Sequence, residues 1–205
     1  MRRVTFAVAL AVAVIAAALV VLTDRTTGDG RALNGVPPKS FEFAYFADLR
    51  GLDTVTYGTV AIPNPDRKPL KVLRVAPNAA HFSLIGVVAV LPAEQEEHGI
   101  YHGGRGWPAT AEVPVTRPAI ETQLQPKDFE HTRAFPRTEL QLLIGLRTDG
   151  AELAAINGVE VEYILGKNRV TRFFPGAMLA CSGSLDGSCS KRDAETDLRS
   201  FGLLK

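Results

Sequence analysis

The sequence predicts an all-β protein, an antiparallel β-sandwich preceded by one N-terminal transmembrane helix. Three observations carry this expectation. Short β-branched and aromatic segments recur between Gly, Pro, Asn and Asp turn signals. No run of helix-period segments separates them, as a parallel sheet with crossover helices would need. The chain opens with Arg2 and Arg3, then an apolar run from Val4 to Leu22 in which only Thr5 is polar, closed by Asp24 and Arg25.

As a helix, Val4 to Leu22 would rise about 28 Å, close to the thickness of a bilayer's hydrocarbon core. A cleavable signal peptide has a shorter apolar region followed by small residues. Here Ala16, Ala17 and Ala18 fall too early, and Leu19-Val20-Val21-Leu22 prolongs the run past them. Residues 1–25 therefore read as a signal anchor, and the domain is secreted only if this leader is cleaved. A buried core helix is disfavoured because the run has no polar stripe. The basic residues keep Met1 to Arg3 in the cytoplasm, so the expected protein is single-pass in the cell membrane with its domain extracytoplasmic. A lipoprotein is excluded, since the first cysteine after the leader is Cys181.

Residues 26–40, rich in Thr, Gly and Asp and ending near Pro37-Pro38, read as a flexible tether. The sandwich is expected over residues 41–181. Phe41 to Phe46 alternates aromatic with other side chains and reads as a strand. Thr54 to Ile62 is a β-branched run stopped by the turn tetrad Pro63-Asn64-Pro65-Asp66, and Leu70 to Val75 follows as its hairpin partner. Phe82 to Leu91 is almost wholly apolar, as expected of a strand buried on both faces. Residues 92–110 form a polar excursion whose glycines argue against a helix. Glu112 to Val115 is a short strand candidate, and Arg117 to Arg137 reads as irregular. Leu140 to Leu146 is a strand, Asp149-Gly150 a turn, and Ala151 to Ile156 a single helical turn. The hairpin of Val159–Leu165 with Val170–Phe173, joined by Gly166-Lys167-Asn168, carries the plainest pattern. Residues 182–205 form a disulfide loop and C-terminal tail.

The stretch Glu139 to Cys181, with Gly158-Val159-Glu160-Val161-Glu162-Tyr163, resembles the final strands of immunoglobulin-like domains in uncharacterised, signal-anchored bacterial envelope proteins. The segment from Val60-Ala61-Ile62-Pro63-Asn64 to Leu70-Lys71-Val72 is similar to their early strands. The resemblance implies an antiparallel immunoglobulin-like β-sandwich at the cell envelope. It does not extend to antibody-type domains, which carry a cysteine on each sheet around a buried Trp. Here Cys181 and Cys189 are close together and Trp107 lies in a loop.

The chain has 23 basic and 22 acidic residues, and without Arg2, Arg3 and Asp24 it has 21 of each. A neutral exported part has no overall electrostatic pull toward nucleic acid. In an oxidising compartment Cys181 and Cys189 are expected to pair rather than serve as a metal or redox couple, because their spacing is not Cys-x-x-Cys. No Gly-x-Ser-x-Gly elbow, Walker loop or His-Glu-x-x-His occurs, so no catalytic residues, enzyme activity or cofactor is expected. A hydrolase built from two carboxylates that meet only on folding leaves no such signal.

Two function classes follow. The first is a non-enzymatic, membrane-tethered extracytoplasmic binding or scaffold module that meets an envelope or membrane protein. Its contact is the loop containing Tyr101, Arg105 and Trp107, residue types common in binding hot spots. The packed alternative for Trp107 is a plug folded over the sandwich edge, and this is preferred for a lone large aromatic. The second is a metal-binding accessory protein using His98, His102 and Glu97. That reading needs three or four ligands in fixed geometry, and two histidines at i, i+4 meet only on a helix.

Overall fold

The computed structural model describes residues 44–49, 51–108, 117–130, 138–182 and 188–205. The predicted anchor, tether and Glu112 to Val115 strand lie outside the described residues. Among the described residues no helix is long and apolar enough to cross a membrane. They form two β-sheets packed face to face, with few helices.

The first sheet has six strands: β1 (Ala44–Asp48), β3 (Leu70–Ala80), β6 (Gln123–Leu124), β8 (Leu153–Leu165), β9 (Asn168–Phe174) and β10 (Ala177–Cys181). Its order is β1-β10-β8-β3-β6. β9 and β10 pair with successive stretches of the long β8, separated by Pro175-Gly176. The second sheet has four strands in the order β4-β7-β2-β5, namely β4 (Phe82–Val90), β7 (Glu139–Thr148), β2 (Thr54–Pro63) and β5 (Gly103–Arg105). Two short helices, α1 (Pro92–His98) and α2 (Ala194–Ser200), complete the described chain with the 3-10 turns Pro126–Phe129 and Ser188–Lys191.

Alternation sets which side chains meet between the sheets. Val55, Tyr57, Val60 and Ile62 of β2, Leu140, Leu142, Ile144 and Leu146 of β7, and Val159, Val161 and Tyr163 of β8 enter one apolar core. Phe129 fills it from the 3-10 turn. Tyr57 is fully buried, and its hydroxyl reaches across the sandwich to donate to the Gly176 carbonyl at 2.8 Å. That burial pushes its phenol pKa far up, so it remains a neutral donor.

The expected β8–β9 hairpin forms, turning at Gly166. Several other expectations are corrected. β2 and β3 are not a hairpin: β2 pairs with β7 and β5, whereas β3 pairs with β8 and β6. The Pro63-Asn64-Pro65-Asp66 turn instead carries the chain from one sheet to the other. Asn64 pins it, donating to the Lys68 carbonyl and accepting from the Lys68 N–H, both at 2.8 Å. β4 is an edge strand with Leu84 38% exposed, so it is not buried on both faces. Ala151 to Ile156 is not a helical turn. Its residues from Leu153 onward open β8, where Ala154, Ala155 and Ile156 are fully buried, and tertiary burial outweighs the helix preference of Ala, Glu and Leu. β1 pairs with β10 in parallel, an exception to the expected antiparallel pattern.

Residues 92–98 also depart from the expected loop. Pro92 occupies the first turn of α1, the Glu94 carboxylate accepts from the Leu91 N–H at 2.7 Å, and Gly99 ends the helix at φ +83°. A proline just inside the start and a glycine just past the end are a helix signature that the glycine count obscured. Arg117 grips the same Glu94 with both terminal nitrogens at 3.1 Å, fixing the start of the stretch that follows.

That stretch closes one side of the sandwich. The Ala89 N–H donates to the Arg117 carbonyl and the Ala119 N–H to the Val87 carbonyl, which extends the β4 edge. Then the Glu121 N–H donates to the Val72 carbonyl, and β6 joins β3. A short segment therefore stitches the two sheets along the β4 and β3 edges. On the opposite side, β1 and β5 are the outermost strands among the described residues.

The C-terminal residues pack against the outer face of the six-stranded sheet. Ala194, Leu198, Leu203 and Leu204 bury against Ala155, Ala177 and Leu179. Asp193 caps α2 by accepting from the Glu195 N–H, and hydrogen bonding, foremost from the Thr196 hydroxyl, lowers its pKa.

Candidate functional site: the open side and its loop

The loop after α1 returns across the four-stranded sheet, and two glycines receive it. Gly86 of β4 and Gly145 of β7 stand directly opposite each other in the ladder. Both face outward, since their neighbours Val87, Ile144 and Leu146 face the core. The missing side chains leave a flat seat on which the Trp107 indole lies. A Cβ at Gly145 would sit 2.3 Å from the ring and one at Gly86 3.0 Å. Trp107 and Tyr101, both half-buried, cover the buried Val90 and Leu143.

Gln141, also on the outer face of β7, holds this loop down. It is 2% exposed, and its amide nitrogen donates to the Gly58 carbonyl at 2.7 Å and the Tyr101 carbonyl at 2.6 Å. The Gly58 N–H in turn donates to the His102 carbonyl at 3.0 Å. Past this anchor the chain enters β5, which pairs with β2 through Tyr57–Gly103, Thr56–Gly104 and Val55–Arg105.

Beside β5 a groove of about 340 Å³ opens between the two sheets. It is lined by Tyr45 to Asp48 of β1, Gly103 to Arg105 of β5, and Met178 of β10. Arg105 is exposed and has no ion-pair partner among the described residues. Asp48 has an interaction of its own.

The three predicted binding residues therefore separate. Arg105 lines the groove, whereas Tyr101 and Trp107 rest on the outer face of the four-stranded sheet and position the loop that delivers it. Of the predicted metal residues, Glu97 and His98 stay together and His102 does not join them. His98 ends α1 with Nε2 3.7 Å from the Glu97 carboxylate, and Gly99 then turns the chain. His102 stacks on Tyr45 with ring centroids 5.8 Å apart. Among the described residues no group of three or more His, Cys, Asp or Glu stands together in a way that could hold a metal ion.

Cys181 and Cys189 form the expected disulfide, which ties the end of β10 to the 3-10 turn before α2. A further polar clasp joins two turns of the sandwich. His81, in the turn between β3 and β4, holds the Asp149 carboxylate through Nδ1 at 2.8 Å. This hydrogen bond is the main reason the Asp149 pKa lies below its ordinary value.

Sequence reasoning missed Gln141, the Gly86–Gly145 seat and Met178. The signal for Gln141 was a lone amide in the apolar run Leu140 to Leu146, where burial requires hydrogen-bond partners. The seat had no local signal, because it depends on the register of two strands far apart in the chain.

Among the described residues, an all-β sandwich stitched along one side, with an arginine-lined groove on the other, is the class that fold and site define. Neither a protein-family model nor a curated protein matches this chain.

Proposed function

We propose that this chain is a non-enzymatic binding module, an immunoglobulin-like sandwich held on the outer side of the cell membrane by its N-terminal apolar segment, that engages an envelope protein through the open side beside β5. Arg105 makes the charged contact. Tyr101 and Trp107 hold the loop that presents it.

Strand order supports the immunoglobulin-like reading. The order β5-β2-β7-β4 parallels A-B-E-D of that architecture, and β10-β8-β3 parallels G-F-C. β5 takes the A position although it comes from the connection between β4 and β7. The Cys181–Cys189 disulfide accords with an oxidising compartment outside the cytoplasm. The observation that carries the binding reading is the groove between β1 and β5, with an exposed arginine that has no ion-pair partner among the described residues.

A photo-crosslinking amino acid at position 105 in intact cells, compared with one at Lys167 on the remote β8–β9 turn, tests the reading. A discrete adduct with an envelope protein from position 105 alone is expected. No adduct, or the same adducts from both positions, would overturn it. Stoichiometric zinc or copper in protein purified without chelator would instead favour the accessory role for His98, His102 and Glu97.

A further inference from the structure

The backbone of the open side defines what can occupy it. β1 is parallel to β10, and the Leu49 N–H donates to the Cys181 carbonyl. In a parallel ladder alternate residues face the same neighbour, so Tyr45 and Ala47 also turn their N–H and C=O groups toward β10. The amides of Ala44 and Phe46 then point away from the sheet, whereas Asp48 at the end of the strand has a partner of its own. The same logic applies to β5. Gly106 donates to the Thr54 carbonyl and Gly58 to the His102 carbonyl, so the even-numbered residues of β5 face β2. Gly103 and Arg105 turn their backbone groups outward.

Two strand edges therefore border one groove. Between the sheets its wall is apolar, with Tyr45 and Ala47 of β1 backed by Met178. Two of the three β5 residues are glycines, so few side chains crowd that edge. Exposed edges with unpaired donors and acceptors are templates for an added strand. The five residues of β1 would pair with about 17 Å of extended chain.

We propose that the open side is a strand-addition site for an extended peptide segment of a partner protein, which hydrogen-bonds to the β1 edge, inserts an apolar side chain toward Met178 and sets a carboxylate against Arg105. This rests on the binding-module reading above and names the chemistry of the partner. Charge complementarity selects an acidic segment, because Arg105 is the cation lining the groove, and the other charged lining residue, Asp48, is already engaged.

The test uses the full chain in detergent micelles and a phage-displayed library of random linear twelve-residue peptides. Selected peptides are expected to combine an Asp or Glu with β-branched or aromatic residues. Their binding should slow amide hydrogen exchange in residues 44–48 and 103–105. Arg105→Glu should weaken binding about tenfold, and exchanging the peptide's acid for Lys should restore it. Methylating the peptide amides that face β1 should abolish binding, while methylating the alternate amides should not. Unchanged thermal melting of Arg105→Glu would verify that the variant folds.

Peptides indifferent to Arg105→Glu, or protection confined to residues 84–90 and 143–145, would overturn strand addition while leaving a binding module standing. A concentration-dependent dimer protected over residues 44–48 would assign the groove to a second copy and overturn the proposal. If no peptide is selected, strand addition fails, and the position-105 crosslink decides separately whether the parent reading survives.

Discussion

Replacing Gly145 with Ala should lift the only tryptophan of the chain off its sheet. The new Cβ would lie 2.3 Å from Cδ2, 2.5 Å from Cε2 and 2.7 Å from Cγ of Trp107. Ordinary van der Waals contact begins at 3.4 Å, so the ring must retreat by about 1.1 Å or tilt away. β7 cannot yield in its place, because it is hydrogen-bonded to β4 on one side and β2 on the other. Overpacking of this kind costs about 1–3 kcal/mol. Gly86→Ala should cost less, since its closest approach is 3.0 Å and a shift of a few tenths of an ångström relieves it. Intrinsic fluorescence reads the indole directly, as Trp107 has no competing tryptophan. The emission maximum should move to longer wavelength in Gly145→Ala and less in Gly86→Ala, with urea midpoints falling in the same order. In a Trp107→Ala background the Gly145→Ala penalty should vanish, which isolates the contact as a coupling energy. An unshifted spectrum in Gly145→Ala, or a penalty that persists without the indole, would refute the seat.

Gln141→Leu should remove the shared donor of the Gly58 and Tyr101 carbonyls and lower stability by about 1–3 kcal/mol in urea unfolding, with faster hydrogen exchange across residues 101–105. Tyr57→Phe should strip the Gly176 carbonyl of its buried donor and cost about 1–3 kcal/mol by the same assay. Removing both cysteines should lower stability by about 2.5 kcal/mol, the chain-entropy value for so short a loop, and expose the C-terminal segment to protease. The Asp149 pKa is depressed, so its stabilising contribution is complete above the ordinary carboxylate range and is lost as pH falls through the lower folded value. Melting temperature followed downward from pH 5 should therefore fall less steeply in Asp149→Asn than in the parent protein.

The elements legible in the sequence were those set by local chemistry. The β8–β9 hairpin needs only alternation and a turn at Gly166, both contained in a few adjacent residues. The disulfide was legible because a chain with two cysteines offers each of them one partner. Helix α1 was not read from the sequence: Pro92 and Gly99 carried its signal, but the surrounding glycines pointed the other way. Pairing was not legible. A turn at residues 63–66 serves a hairpin or a sheet-to-sheet crossover equally well, and the choice went to β7, far downstream, whose Leu140, Leu142, Ile144 and Leu146 bury the core face beside Val55, Tyr57 and Ile62.

The candidate site divides in the same way. Arg105 and its glycine neighbours stood out by residue type, but residue type could not separate the groove from the outer face. That separation follows from strand alternation and from the places of β1 and β5 as the outermost described strands. By itself the sequence determined strand content, the disulfide and the apolar character of residues 4–22, because period, turn chemistry and hydropathy act within a few residues. Only the tertiary structure decided that Trp107 rests on Gly86 and Gly145 while Arg105 faces the gap between β1 and β5. Those positions depend on register between distant strands, where a one-residue slip would send each side chain to the opposite face.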